Sequence, residues 1–343
     1  MSEGIRDAGW GWTQAQLSMP YSIACLVFCL VMVPAGRLQD KIGPRLVASV
    51  GGILVGIGMI VASFTTSPIG YIVGFGVIAG AGIGFGYASA TPPAVKWFPP
   101  EKTGLVAGIV VSGFGLASVY AAFLSRWLMT AYSLQTMMTV LGLGFMVVVV
   151  GLAQVLRPPH RVLQLVAGFG KAGELKKQYA SQPSPQKTDY TPKEMLKTLQ
   201  FYLLWFMYAC GAGAGLMIIS VAKKIGAGAE VGIAAVVGLA IGNGAGRVIA
   251  GLLSDKLGRK ATMCACFIFQ ALLVFLLSRA TPGTAMGSSA ALVIFTALIG
   301  ANYGANLALF PSITKDFYGL KNFGVNYGLV FTAWGVGGFM LAL

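Results

Sequence analysis

The stretch that decides the fold is Ile241–Lys260, which reads IGNGAGRVIAGLLSDKLGRK. Its first half is apolar and rich in small residues, yet it contains Arg247. A guanidinium at membrane depth costs about 2.5–3.5 kcal/mol on insertion scales, so it usually faces a cavity or a partner. The second half has a copy upstream: residues 36–45 read GRLQDKIGPR and residues 251–260 read GLLSDKLGRK, with five of ten positions identical. The chain therefore combines a buried cation with a duplicated loop.

The composition around this stretch is that of a membrane protein. Of the 343 residues, 56% are hydrophobic and 10% are charged, whereas soluble domains carry about 25% charged residues. Apolar runs close to the length that an α-helix needs to cross a bilayer recur along the chain. We predict an integral, multi-pass, all-α membrane protein. Its ten expected spans lie near 17–36, 46–65, 69–93, 102–125, 135–156, 199–222, 231–252, 261–279, 285–310 and 323–343.

Membrane topology explains the net charge of +14. Five loops fall on one side of the expected spans and hold 18 of the 24 Lys and Arg residues: 37–45, 96–102, 157–197, 256–260 and 315–321. Loops rich in Lys and Arg stay in the cytoplasm. We therefore place these loops in the cytoplasm, both ends of the chain outside, and the protein in a bacterial inner membrane. The charge gives no reason to expect a nucleic-acid partner.

A long polar segment divides the chain into a transmembrane lobe at 1–157, a cytoplasmic linker at 158–197 and a second lobe at 198–343. The linker contains SQPSPQ, and its composition predicts flexibility. Near its end, Thr191-Pro192-Lys193-Glu194 has the pattern of a capping box, so a short helix should lead into the sixth span. The duplicated loop indicates that the lobes are repeats. Transporters built from repeats bind their substrate between them.

Arg247 is the residue best suited to hold a ligand. Helical spacing places Asn243, Gly244 and Gly251 on its face of the span. Three roles are open: a fork-shaped carboxylate site, a side chain that snorkels toward the headgroups, and a purely structural bond between helices. All ten Asp and Glu residues lie in loops or at span ends. The lack of an evident internal counter-ion favours an anionic ligand.

For several aromatic and polar residues the sequence leaves two roles open. Tyr87 is either an interfacial anchor or a hydroxyl that faces a cavity, and Trp334 faces either lipid or a cavity. Asn302, Tyr303 and Asn306 form a polar stripe that either joins helices or lines the site. The glycines that recur every fourth residue before Tyr87 should let helices touch closely. They are Gly76, Gly80 and Gly84.

In the duplicated loop, Gly36 and Gly43 are predicted to allow a tight turn. Asp40 is predicted to bind a helix N-terminus or a nearby arginine. Lys41 and Arg45 of the first copy should be cytoplasmic, and the equivalent motif residues of the second copy are Gly251, Asp255, Lys256 and Gly258. Topological charge alone would explain the cations. It would not explain Asp40 or the glycines, so we favour a charged latch between two moving halves.

The spans contain no nucleophile–base pair and no carboxylate dyad. The five cysteines lie in apolar spans without metal-ligand spacing, and the one histidine, His160, lies in the linker. We therefore predict no enzyme activity, no metal and no cofactor.

Several stretches of the chain resemble a known family. GRLQDKIGPR is similar to the loop between helices two and three of the major facilitator superfamily, G-x-L-x-D-R-x-G-x-R, with Lys41 in place of the Arg. The stretches GYASATPPAVKWFPPEKTGL, NGAGRVIAGLLSDKLGR and LFPSITKDFYGLKNFGVNYG resemble the oxalate/formate antiporter family and its monocarboxylate-carrier relatives. The resemblance implies a two-lobed bundle of twelve helices. We expect this chain to lack helices one and twelve; a natural ten-helix protein is the alternative.

The same resemblance implies roles for particular residues. Arg247 would pair with the substrate carboxylate, Asn243 would lie where animal monocarboxylate carriers tend to have Asp, and Tyr87 and Tyr303 would line the cavity. Oxalate carriers add a Lys in helix eleven. Residues 323–343 contain no Lys or Arg, and Trp334 lies near that position.

We therefore expect a monomeric carrier of formate, lactate or pyruvate-type anions that works by alternating access. Anion exchange is preferred over coupling to protons, because no internal acid is evident. The alternatives are an oxalate/formate antiporter and a membrane carboxylate sensor that does not transport.

Overall fold

The computed structural model describes residues 5, 9–157, 189–227, 232–280 and 284–341. Within these ranges the chain forms ten long helices. They are α1 (Gln14–Ile42), α2 (Pro44–Ser63), α3 (Pro68–Tyr71, the π-helical Ile72–Ala79 and Gly80–Ala88), α4 (Thr103–Ala131), α5 (Leu134–Ala153), α6 (Leu199–Ala227), α7 (Gly232–Leu257), α8 (Arg259–Ser278), α9 (Ser289–Tyr318) and α10 (Phe323–Leu341). Short helices at Thr91–Val95 and Pro192–Met195 precede α4 and α6. The predicted all-α fold is confirmed, and each predicted span overlaps one long helix.

The helices have the length and surface of membrane spans. In the described part of the chain, nine of them, α1 to α9, are long and apolar enough to cross a bilayer. Their outer faces expose large apolar side chains such as Val147, Phe206 and Phe275. Extensive exposed apolar surface is rare in soluble proteins and suits contact with lipid. The helix α10 has 19 residues and lies outside that group of nine, so the count of ten spans stays a prediction.

Local sequence signals set the helix ends. The helix α1 begins at a capping box, in which Thr13 and Gln16 bond each other's backbone, and the predicted box at Thr191 and Glu194 is formed as well. The second box starts only the four-residue helix Pro192–Met195. Gly43 and Gly258 end α1 and α7 with φ of +91° and +90°. Both copies of the duplicated loop therefore turn at the same glycine, which adopts this left-handed conformation at little cost.

Glycine packing holds α3 against α1, as the four-residue spacing predicted. A Cβ at Gly80 would lie 2.9 Å from the carbonyl oxygen of Ala24, and one at Gly84 would lie 2.8 Å from that of Phe28. The π-helical segment before them was not predicted, because no periodicity in the sequence distinguishes it from an α-helix. Such π-turns occur mostly as short insertions in helices and often near functional sites.

The described helices form two groups that meet mainly along two helix pairs. Helices α1 to α5 pack together, and so do α6 to α10; α1 crosses to α10, α4 crosses to α7, and α4 also contacts α9 less extensively. We call these contacts the α1–α10 seam and the α4–α7 seam. Residues 158–188, which form most of the predicted linker, lie outside the described residues, so the flexibility predicted for the linker stays a prediction. The lobe boundaries stay a prediction.

The described end of the linker binds the turn between α9 and α10. The Asp189 carboxylate accepts the backbone N–H groups of Leu320 and Lys321 at 2.9 and 3.1 Å. Two amide side chains donate to the Tyr190 carbonyl oxygen at 3.0 Å each, those of Asn322 and Asn326. We call Asp189 and Tyr190 the linker clamp. It fixes the segment from which α10 begins.

Candidate ligand site between the two halves

Arg247 lies in α7 and is fully buried. Its Nε donates to Oδ1 of Asn243 at 3.0 Å, and its Nη1 donates across the α4–α7 seam to the Val111 carbonyl oxygen. Its Nη2 finds no hydrogen-bond partner among the described residues. The snorkelling alternative is therefore wrong. The structural-bond alternative accounts for Nη1 but leaves Nη2 unsatisfied.

The sequence around Arg247 explains how a guanidinium fits there. Asn243, Gly244 and Gly251 are buried on its face of α7, while Ile241 is 53% exposed on the other. This is the predicted amphipathic pattern. The carbonyl of Arg247 itself packs directly on Gly108 of α4, where a Cβ would overlap it. Small residues thus bring the two backbones together and leave the guanidinium in the gap.

An aromatic cluster adjoins the guanidinium and contains the other predicted residues. The half-exposed Phe114 ring lies 5.6 Å from the guanidinium carbon and 5.8 Å from the Tyr87 ring. Phe28 packs on Tyr87 at 5.5 Å and on Trp334 at 5.4 Å. Trp334 Nε1 donates to the Tyr303 hydroxyl at 2.9 Å. The structure therefore brings all five predicted ligand-site residues to one continuous cluster.

Tyr87 and Trp334 do not face lipid. They are 8% and 4% exposed, so the interfacial-anchor and lipid-facing alternatives are wrong. Of the predicted polar stripe, only Tyr303 joins the cluster. Asn302 instead donates to Gln270 Oε1 at 2.8 Å and so ties α9 to α8. Asn306 donates to the carbonyl of Asn302.

Several residues of the cluster were not predicted. Phe331 contacts Phe28, Tyr87 and Trp334, and Tyr208 of α6 stacks on Phe310 with ring centroids 4.0 Å apart. A signal for the α10 members was present. Aromatic residues recur there at helical spacing and are all buried: Phe323, Tyr327, Phe331 and Trp334. No comparable pattern in α4 or α6 pointed to Phe114 or Tyr208.

Each copy of the duplicated loop binds a helix of the opposite half. Asp255 accepts the N–H groups of Gly104 and Leu105, at the start of α4, at 2.8 and 2.7 Å. Asp40 accepts the N–H of Val325, at the start of α10, at 3.2 Å. A carboxylate at a helix N-terminus satisfies unpaired N–H groups and is favoured by the helix dipole. A helix N-terminus was one of the two expected partners of Asp40.

Among the described residues, the expected arginine partner is present in the second copy alone, where Arg259 contacts Asp255 at 2.6 Å. Asp40 pairs with Lys96 at 3.0 Å instead. We call Asp40 and Asp255, with these contacts, the two latches. They close the seams at the loop ends of the helices.

The predicted role of Gly36 is wrong. It lies inside α1 and contacts Gly324 of α10, whose carbonyl oxygen a Cβ at Gly36 would overlap. Gly251 lies inside α7 and contacts Gly104 of α4 in the same way. These glycines serve close helix approach rather than a turn. The predicted cations of the loops are exposed: Lys41, Arg45 and Lys256.

Two halves of membrane-spanning helices, paired along two seams with matching latches and a buried cation between them, define a membrane transport protein of the repeat-built type. The chain matches the family model described as Major Facilitator Superfamily over residues 6–342. It belongs to that family, as the resemblance of its loops predicted.

Relatives support the same conclusion. The chain is 27% identical to the uncharacterized MFS-type transporter YhjX of Escherichia coli (strain K12), over 94% of this chain and 76% of the relative. It is 29% identical to the oxalate:formate antiporter of Oxalobacter formigenes, over 87% of this chain and 67% of the antiporter. A shorter region, 28% of this chain and 22% of the relative, is 32% identical to monocarboxylate transporter 13 of Rattus norvegicus.

Solved structures share the fold. The proton:xylose symporter XylE superimposes with a TM-score of 0.75 and 14% identity, over 99% of this chain and 82% of its own. A variant of the Escherichia coli fucose:proton symporter FucP superimposes with a TM-score of 0.64 and 15% identity, over 99% of this chain and 86% of its own. The protein is thus a multi-span integral membrane protein and a transporter of this superfamily.

Proposed function

We propose that the protein is a secondary transporter of small monocarboxylate anions, which it exchanges by alternating access of its two halves. The observation that carries this proposal is the unpartnered Nη2 of Arg247, fully buried between the halves. A guanidinium remains charged at any physiological pH. Burying it with an unmet N–H group is costly, so an anion that accepts from Nη2 would stabilise the site.

The surroundings favour a single negative charge. Among the described residues, Arg247 and Lys315 are the buried charged side chains. Lys315 pairs with Asp316 and donates to Thr103, outside the aromatic cluster. A second carboxylate would therefore lie among aromatic and uncharged groups, where burying a charge is unfavourable. Formate, lactate and pyruvate-type anions fit this site better than oxalate does.

The relatives support a carboxylate and leave both exchange and symport open. One named relative is an oxalate:formate antiporter and another is a monocarboxylate transporter. Exchange is the proposed mode because Asn243, rather than an acid, binds Arg247 in the described structure. An amide does not take up a proton at physiological pH, so this contact cannot serve as a proton relay.

Alternating access would use the latches. Both are formed in this structure, so it represents a state closed at the loop ends. We place these loops in the cytoplasm because they carry the excess of Lys and Arg. The bacterial relatives support a bacterial inner membrane as the location. Opening to the cytoplasm would then require both carboxylates to leave their helix N-termini.

Counterflow in proteoliposomes tests the proposal. Labelled formate, lactate, pyruvate and oxalate are offered to the unmodified protein, to Arg247→Ala and to Arg247→Lys. The matched control is Arg126→Ala, because Arg126 lies on the exposed surface of α4. We expect monocarboxylate exchange to fall about 100-fold or more in Arg247→Ala, partly in Arg247→Lys, and not at all in the control.

Two outcomes would overturn parts of the proposal. Normal transport by Arg247→Ala would remove the guanidinium from the site. Faster exchange of oxalate than of any monocarboxylate would contradict the assignment of a single charge. Binding of a carboxylate without any flux, seen as a ligand-induced rise in thermal midpoint, would identify a sensor instead.

A further inference from the structure

Arg45 is an exposed cation whose guanidinium is held in one direction by neighbouring side chains. It is the second residue of α2, and its Nε donates to Oε1 of Gln154, just beyond the end of α5, at 2.7 Å. The amide nitrogen of Gln154 donates to Ser49 Oγ at 3.2 Å, and Ser49 Oγ donates to the carbonyl oxygen of Arg45 at 2.9 Å. These bonds close a ring between the two helices. We call Arg45, Ser49 and Gln154 the α2–α5 clip.

The clip leaves one edge of the guanidinium unused. Within the described residues, neither Nη1 nor Nη2 of Arg45 makes a hydrogen bond, and no carboxylate pairs with it. Two parallel N–H groups of an arginine match two oxygen atoms of a phosphate. Because the bond at Nε already orients the guanidinium, a ligand on this edge orders less of the side chain when it binds.

A row of exposed apolar side chains begins beside Arg45 and runs along α2. Its spacing of four, three and four residues keeps the row on one face of the helix. The row covers 11 residue steps, about 16 Å at 1.5 Å per residue. That is about half of the 30 Å hydrocarbon core of a bilayer, or one leaflet. The members are Leu46, Val50, Ile53 and Ile57, which are 59%, 41%, 40% and 44% exposed.

Charge and apolar surface together select one kind of occupant. A soluble phosphate would use the guanidinium alone, and a partner helix in the bilayer would use the row alone. A phospholipid with a net negative charge uses both, because its phosphate lies at the headgroup level and its acyl chain lies in the leaflet. The loop end of α2 is the end that carries the excess of Lys and Arg, and anionic lipids concentrate in the cytoplasmic leaflet.

We propose that the α2–α5 clip and the apolar row of α2 form a binding site for one anionic phospholipid of the cytoplasmic leaflet. The lipid phosphate accepts from Nη1 and Nη2 of Arg45, and one acyl chain lies along the row. The site does not depend on the proposed cargo, because it lies on the surface of the first half rather than between the halves.

The second copy of the duplicated loop lacks this arrangement. Lys260 occupies there the position of Arg45. Its Nζ lies 6.0 Å from the centre of the Phe317 ring, and an ammonium group offers no planar pair of N–H groups. The site therefore belongs to the first copy, and Lys260 is a matched control that has the same charge and the same place in the repeat.

Lipid titrations of the purified protein in detergent test the site. Dioleoyl phosphatidylglycerol is compared with dioleoyl phosphatidylcholine, which has the same chains and no net charge, and with glycerol 3-phosphate, which has no chains. Apparent affinities come from the rise in thermal midpoint above each variant's own lipid-free value, and native mass spectrometry counts the lipids bound. The variants are Arg45→Gln, Arg45→Lys and Gln154→Leu. The controls are Lys260→Gln and Arg37→Gln, an exposed cation of the first copy.

The unmodified protein should bind phosphatidylglycerol about 10-fold or more tightly than phosphatidylcholine. Arg45→Gln should weaken phosphatidylglycerol binding about 10-fold, the value of hydrogen bonds to a charged group. Arg45→Lys, which keeps the charge, and Gln154→Leu, which frees the guanidinium, should each weaken it about 3- to 5-fold. Both controls should change it by no more than about 2-fold, and no variant should alter the affinity for phosphatidylcholine.

Three results would overturn the site. A loss in Arg45→Gln no larger than in the two controls would show that only the summed surface charge attracts the lipid. Equal binding of phosphatidylglycerol and phosphatidylcholine by the unmodified protein would show that the net charge of the headgroup is not recognised. An effect of glycerol 3-phosphate as large as that of phosphatidylglycerol would identify a soluble phosphate as the ligand and remove the row from the site.

Discussion

The α4–α7 seam and the α1–α10 seam begin alike and then diverge. Each starts with a latch carboxylate on a helix N-terminus of the other half, followed by a direct glycine–glycine contact. Further along, the α4–α7 seam buries Arg247, whereas the α1–α10 seam buries Phe28, Phe331 and Trp334. The shared part follows from the duplicated loop. The unshared part would make the proposed site asymmetric, because one seam supplies the charge and the other supplies an apolar wall.

The latches themselves differ in their cations. Pro44 occupies in the first copy the position that Arg259 occupies in the second. Arg259 reaches Asp255 within its own loop and also contacts Asp316 at 2.9 Å. Asp40 depends on Lys96, which comes from the segment between α3 and α4. Because Asp255 also accepts two N–H groups, the α4–α7 latch should be the stronger one.

The largest effect is expected for Asp255→Asn. Two charge-assisted hydrogen bonds weaken and Arg259 loses a partner, so closure should lose about 2–3 kcal/mol. Ala107 is fully buried in α4 between the seam contacts of Gly104 and Gly108. A single cysteine is introduced by Ala107→Cys after the native cysteines are replaced. It should react with a thiol reagent about 10- to 100-fold faster in the Asp255→Asn protein than in the protein that keeps Asp255. An unchanged rate would show that this latch does not hold the seam.

A smaller effect is expected for Asp40→Asn, about 1–2 kcal/mol of closure. This variant weakens the hydrogen bond from the N–H group of Val325 and removes the ion pair with Lys96. Because Lys96 is partly exposed, water then solvates its ammonium group. Cys29 is fully buried and touches Gly335 across the α1–α10 seam, so the reactivity of Cys29 as the sole thiol reports the change. If Asp40→Asn opened its seam more than Asp255→Asn opens the other, the ranking of the latches would be wrong.

Substitution of the seam glycines should affect both seams equally. Alanine at Gly36 or Gly251 would overlap a backbone oxygen of the other half. Overpacking of this kind costs about 1–3 kcal/mol, and alanine in a helix returns about 1 kcal/mol. The thermal midpoint in detergent should fall for both variants. The matched controls are Gly86→Ala and Gly113→Ala, where a Cβ meets no atom within 4 Å, and both should raise the midpoint. A fall in the controls would exclude close contact as the cause.

The smallest effect is expected for Asp189→Asn, about 0.5–1 kcal/mol, because Asp189 lies on the surface. The linker clamp holds only the turn that leads into α10. Reactivity at Cys29 should therefore rise a few-fold while that of the cysteine at position 107 stays constant. Equal changes at both positions would show that the seams do not open separately.

Much of the candidate site could be predicted from local sequence. The face of α7 that carries Asn243 and Arg247 follows from helical spacing, and the loop copies are visible by inspection. The Val111 carbonyl and Phe114 could not be predicted, because a helical pattern shows which face is buried but not which face it meets. The role of Gly36 was misjudged for the same reason. A glycine near a loop favours a turn until the opposite helix is seen.

The sequence by itself determined the membrane helices, their capped ends, the two equivalent loops and the isolated cation, because hydropathy, helical period and capping act over short stretches of chain. The tertiary structure alone decided that Nη1 of Arg247 is taken by Val111 while Nη2 is not. It also decided that Tyr87, Tyr208 and Tyr327 all pack on Phe331. Contacts between residues far apart in the chain depend on how whole helices cross, which is set by summed packing along each helix rather than by any one residue type.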